Sequence, residues 1–242
     1  HMRAIDAIHP GEPAFKELLA AGVTTVFTGP GSGNLVGGQA ACIKTVPRPS
    51  VEQMVLLEPA GMKMALGENP RRAYGEQKKT PSTRMGNAAV LRAALVDAQN
   101  YLEKWRRYEA DQAAYQTKAA AGDEEAEAPK QPERDLKLEA LGKVLRREMK
   151  ARIHAHRADD ILTAMRIADE FGLDLTIEHA TEGYKIADIL AAKGVPVTAG
   201  PILFSRTKYE LKDMTPRNPG AMAKAGVKVA IQTDEMSAVK YL

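Results

Sequence analysis

The sequence predicts an α/β protein, organised as a (β/α) barrel or a doubly wound sheet, and three observations carry that prediction. From Ala151 onward, short apolar or β-branched runs alternate with amphipathic helical stretches. Those runs end in polar groups: His154 and His156 in RIHAH, His179 in TIEH and Asp234 in IQTD. In parallel folds, side chains at such strand ends converge on one face, where sites are built. Finally, Gly22, Gly172 and Gly194 stand where helices must stop before the next strand.

Taken in order, Pro13 to Ala21 reads as a helix with Phe15, Leu18 and Leu19 on one face, and Val23 to Thr28 as a strand. That αβ order points to a parallel sheet from the start. Residues 29–39, GPGSGNLVGGQ, read as a glycine-rich loop. No Lys-Ser or Lys-Thr pair closes it, and Asn34 stands where a third dinucleotide glycine would be, which argues against a nucleotide site. The loop is either a plain turn or a segment, Gly38 and Gln39 included, that lies against a ligand. Residues 40–45 form a second run, residues 51–53 a brief turn, and Gly61 to Leu66 the next strand, with Lys63 at its middle. A buried unpaired ammonium is costly, so composition alone sets Lys63 on an exposed edge.

From Thr80, the spacing of Val90, Leu91, Leu95, Ala98, Leu102 and Trp105 predicts one long amphipathic helix whose apolar stripe fades after Trp105. Residues 122–132 have no periodicity, and Leu138, Leu141, Val144 and Leu145 mark a return helix. Residues 86–147 therefore read as a helical arm, with a flexible tip at about 121–133, inserted into a barrel core of residues 3–242. The arm is either a solvated appendage or a partner-binding element. Beyond His156 follow a helix over Asp159 to Phe171, a strand to Glu178 and a helix over 184–192. A strand ending at Gly200, a polar excursion, a short helix from Pro219 and a last strand over Val227 to Ile231 complete the order.

The totals are those of an ordinary globular protein, with 44% hydrophobic and 27% charged residues over 242 positions. A net charge of +3, with both signs interspersed, predicts no nucleic-acid partner. Cys42 is the only cysteine, so no intrachain disulfide forms and the expected compartment is the cytoplasm. No apolar run approaches a bilayer span, and His1 before Met2 reads as a tag remnant.

Neutral imidazole is the commonest protein ligand for zinc-like metals. A lone strand-end histidine is as readily a structural hydrogen-bonding group, whereas two on successive strand ends, followed by a carboxylate on a third, make a candidate metal site. The order RIHAH, TIEH, IQTD, together with GMKMALGE, the PGSGN loop and the GENP and TRMG turns, resembles the metal-dependent amidohydrolases, in particular their imidazolonepropionase-like branch.

That resemblance implies an incomplete (β/α)8 TIM barrel of the amidohydrolase type, binding one or two divalent ions, zinc foremost. By the same resemblance His154, His179 and Asp234 match metal ligands, and Lys63 falls at the bridging lysine, with Glu68 a second candidate. Lys63 then belongs inside the fold instead of on an edge. Asp234 doubles as the proton-transfer catalyst, and the implied reaction is hydrolysis of a C–N bond in an amide, cyclic amide or dipeptide. His156 is assigned to substrate or to a carboxylate behind the ligands, and Arg157 and Arg206 are either partners of a substrate carboxylate or ordinary surface arginines.

The family's first strand, with its His-x-His pair, and its flanking β-sandwich have no counterpart in these residues. The chain thus reads as a truncated core, expected to self-associate through open barrel edges or the arm. The alternative expectation is a non-catalytic barrel fragment.

Overall fold

The computed structural model describes residues 2–202, 207–234 and 236–239. His1 and Arg206, assigned above, lie outside the described residues, as does part of the polar excursion. Seven strands form one sheet in sequence order: β1 (Thr25–Thr28), β2 (Val36–Lys44), β3 (Val55–Ala65), β4 (Ala151–Ala155), β5 (Leu175–His179), β6 (Val197–Ala199) and β7 (Val229–Ile231). The described residues also form helices α1 (Pro13–Ala20), α2 (Glu68–Gly75), α3 (Arg84–Ala120), α4 (Leu136–Leu145), α5 (Ala158–Phe171), α6 (Ala187–Ala192), α7 (Asn218–Lys224) and α8 (Met236–Val239).

From β3 to β7 every pairing is parallel, as the alternation of runs predicts. The first three strands correct the expectation of a parallel sheet from the start, because β1, β2 and β3 pair antiparallel. The cause is connection length: residues 29–35 cannot hold the crossover of a dozen or so residues that parallel neighbours need. The glycine-rich loop is also shorter than its composition suggests. Val36 to Gln39 are the first residues of β2, and β3 begins at Val55, well before Gly61.

Alternation along the strands separates two faces. Met62, Met64, Ile153, Ile177 and Val197 pack outward with Leu91 and Leu95 of α3, Leu141 of α4 and Ile161 and Ile167 of α5 in the main core. Lys63 and Arg152 sit opposite one another in register, as do His154 and Glu178, and they line the other face. The Arg152 guanidinium lies 3.9 Å over the Phe27 ring, and its Nε is 2.7 Å from Glu178 Oε1. A residue of β4 touches one of β1 only if the sheet curls, and the result is a seven-stranded half-barrel with a polar concave face. A smaller core of Phe15, Leu18, Ala41, Ile43 and Met54 seats α1 on the back of β2.

Helix α3 starts at Thr83, whose side chain accepts the Gly86 N–H, and Asp135 caps α4 by accepting from Lys137 and Leu138. Both helices fall between β3 and β4, where the apolar spacing predicts them. Gly172 ends α5 at φ 65°, the left-handed position that suits glycine. Among the described residues, no helix is long and apolar enough to cross a membrane.

Candidate metal centre

The carboxyl-terminal ends of β4 and β5 gather three imidazoles. His154 and His156, two apart on an extended segment, point the same way, with ring centroids 4.6 Å apart. Strand alternation would send His179 toward the helices with Ile177. The backbone breaks that alternation: His179 and Ala180 have φ of 75° and 43°, a left-handed turn uncommon outside glycine. The His179 ring thereby comes to 4.3 Å from His154 and 4.7 Å from His156, centroid to centroid. One ring nitrogen from each histidine can be chosen so that all lie within 4.8 Å of one another.

All three histidines are 2% exposed. Burial, with the neighbouring rings and the Lys63 and Lys208 ammoniums, holds His154 and His156 well below the usual imidazole range. His179 is lowered to about 3, chiefly by burial and then by the Lys63 charge. The rings are therefore neutral at physiological pH, the form that binds a metal.

Their outer nitrogens are oriented from behind. His179 Nδ1 donates to the Gly200 carbonyl at 2.7 Å, and His156 Nδ1 is 2.7 Å from Thr181 Oγ1. Each contact leaves Nε2 of that ring toward the centre, the usual support behind a metal-binding histidine. Among the described residues, His154 Nδ1 is buried without a hydrogen-bond partner. In the tautomer with its proton on Nε2, that nitrogen offers a lone pair that a divalent ion would engage, so the donor set fits such an ion.

The remaining residues singled out from sequence fall as follows. Lys63 is largely buried on the concave face, where burial lowers its pKa against the opposing pull of Glu178 and Asp234. Asp234 follows β7 at φ 60° and is exposed; its charge reaches Lys63, but it is not part of the three-histidine group. Arg157 spends both arms of its fork on Asp159, at 2.9 and 2.7 Å. Gly38 lies in β2 at φ 140°, where a Cβ would meet the Met2 carbonyl oxygen at 2.7 Å. Gln39 donates its N–H to that same oxygen, so close approach by the amino-terminal segment explains this glycine. Glu68 starts α2 and interlocks with Glu210: each backbone N–H meets the other's carboxylate, at 2.8 and 3.4 Å.

Sequence reasoning missed Asn69, Lys208 and Glu210, which close over the histidines. Asn69 Nδ2 is 3.3 Å from His154 Nε2, and Glu210 Oε1 is 3.7 Å from His156 Nε2. The available signal was GENP directly after a strand whose neighbour ends in His154.

Fold and cluster together define a class: a curled α/β half-barrel that presents three neutral imidazoles on its carboxyl-terminal rim. No family model matches the chain. It is 29% identical over 199 residues to the amidohydrolase tasK of Hapsidospora irregularis, a match covering 78% of this chain and 20% of that one. It also superposes with a TM-score of 0.86 on the crystal structure of an amidohydrolase from Thermotoga maritima MSB8. That likeness has 46% identity and covers 100% of this chain and 59% of the other, so the chain spans less than two thirds of one relative and about a fifth of the other. Both likenesses support an amidohydrolase-family assignment.

Proposed function

We propose that this chain carries the metal-binding half of a metal-dependent amidohydrolase that cleaves a C–N bond in a small amide, cyclic amide or dipeptide. The observation that carries the reading is the buried group of three neutral imidazoles, in which His154 Nδ1 has no hydrogen-bond partner among the described residues. His154, His156 and His179 would hold the ion, zinc by the affinity of imidazole for it, with Lys63 and Asp234 as the further ligands the resemblance implies. A divalent ion in such a site polarises a carbonyl and lowers the pKa of water bound to it.

The protein's own residues supply the rest. Burial keeps the imidazoles neutral, while Thr181 and Gly200 fix two ring orientations. Asp234 takes a proton from the attacking water and passes it to the leaving nitrogen as the C–N bond breaks. Membership of the imidazolonepropionase-like branch, a cytoplasmic location, a TIM-barrel parentage with α3 and α4 as its inserted arm, and self-association through open sheet edges belong to the same reading.

A zinc titration of the metal-stripped chain by calorimetry tests it. The expected result is uptake of about one ion per chain, abolished in a His154→Ala/His179→Ala variant. No uptake by the unaltered chain would overturn the reading. Uptake without metal-dependent release of product from any dipeptide or cyclic amide would leave the non-catalytic alternative.

A further inference from the structure

Lys208 stands over the histidines in a long ion pair with Glu210. Among the described residues its Nζ donates to Asn69 Oδ1 at 2.9 Å and lies 3.4 Å from both Glu210 Oε1 and His156 Nε2. An ammonium clasping a carboxylate sits at about 2.7–2.9 Å. Other lysines of this chain achieve that: Lys150 reaches Asp174 at 2.7 and 2.6 Å, and Lys185 reaches Glu182 at 2.9 Å.

Glu210 cannot close the gap. Its other oxygen accepts the Glu68 N–H at 2.8 Å, and its side chain is wholly buried. Asn69 is equally fixed, because its amide nitrogen meets Ser32 Oγ at 2.6 Å and His154 Nε2 at 3.3 Å, which turns its oxygen to Lys208. The ammonium is thus held in place at the edge of the histidine group, in an ion pair longer than those of Lys150 and Lys185. Its side chain keeps 18% exposure, enough to be reached from outside.

We propose that Lys208 is a specificity residue that takes a carboxylate of the substrate, with Asn69 and Glu210 as positioning residues. The substrates are then amides that carry an anionic group close to the scissile bond. The inference rests on the metal-hydrolase reading above and names its substrate class. Its basis is electrostatic. Lys208 Nζ lies 3.4 Å from His156 Nε2, so a cation held by the histidines would have a like charge for a neighbour, and two like charges in a poorly solvated pocket repel strongly. An anion lying against both relieves that repulsion, and Glu210, fixed as it is, does so only in part.

The test is calorimetry on the zinc-loaded 242-residue chain, using succinate and its uncharged diamide, succinamide, as probes in the unaltered chain, Lys208→Gln and Lys208→Arg. Zinc stoichiometry is titrated first for each protein. The expected result is a loss of roughly tenfold or more in succinate affinity for Lys208→Gln, most of it restored in Lys208→Arg, with succinamide affinity unchanged. Unchanged succinate affinity in Lys208→Gln would overturn the assignment. Equal losses for both probes would do so too, since they mark a merely structural lysine. An unaltered chain that takes up no zinc sinks this inference together with the metal reading. A zinc-loaded chain that discriminates the probes but cleaves no amide keeps the Lys208 site and loses the hydrolase reading.

Discussion

At the scale of residues, the chain's most consequential choice is to bury ionisable groups that must stay in one charge state. The three imidazoles have pKa values depressed below the unfolded value of about 6.5, so the unfolded chain binds protons that the folded one refuses. Their contribution to stability is complete above pH ~6.5 and is lost as pH falls toward the folded value, about 3 for His179. Urea midpoints measured from pH 7 down to pH ~3.5 should therefore fall more steeply for the unaltered chain than for His179→Gln. Parallel curves would remove this account.

A second buried charge is paired. Asp160, 5% exposed, accepts from Arg84 Nε at 3.2 and 3.0 Å through its two oxygens, yet burial still raises its pKa. Arg84→Met leaves that carboxylate without its partner and should cost about 2 kcal/mol in urea unfolding, with Asp160→Asn in the same chain recovering part of the loss.

At the scale of elements, the end of β6 carries the tightest constraint. Gly200 has φ of 144°, its carbonyl receives His179 Nδ1–H, and a Cβ there would run into the Gln232 carbonyl beyond β7. Gly200→Ala should destabilise the fold by about 3 kcal/mol and weaken zinc uptake, because the strand end that orients His179 must move. A variant of ordinary stability and ordinary zinc affinity would show that the glycine is dispensable.

The helical and parallel elements were largely legible from spacing, since Leu91, Leu95, Leu141 and Ile161 repeat at helical intervals and do form one core. The antiparallel β1–β3 ribbon was not read, although the brevity of residues 29–35 was the available clue. The site divides the same way. His154, His156 and His179 could be found because strand ends are local features of sequence. Lys208 meets Asn69 across 139 residues, and nothing local marks such a meeting.

At the scale of the whole molecule, the half-barrel turns an apolar face to its helices and a charged one, with Lys63, Arg152 and Glu178, to its hollow. Ligand binding to the rim should therefore report on the entire fold. Free zinc at a hundred times its dissociation constant should raise the unfolding free energy by about 2.7 kcal/mol, and should shift nothing in His154→Ala/His179→Ala. A thermal shift that persists in the double variant would place zinc elsewhere on the surface.

The excursion through α3 and α4 also sets a timetable. β2 and β3 are joined by residues 45–54 alone, whereas β3 and β4 are separated by the whole of residues 66–150, and every histidine of the rim lies beyond that gap. Closing a long loop costs entropy before any contact repays it, so the hairpin can form early and the rim only late, once α3 and α4 have folded back on each other. Pulse-labelled hydrogen exchange during refolding should protect the β2–β3 amides before the Leu66 N–H that bonds the His154 carbonyl. If so, a nascent chain of this protein cannot assemble its histidine rim until residues 151–179 have been made and α3 and α4 have packed.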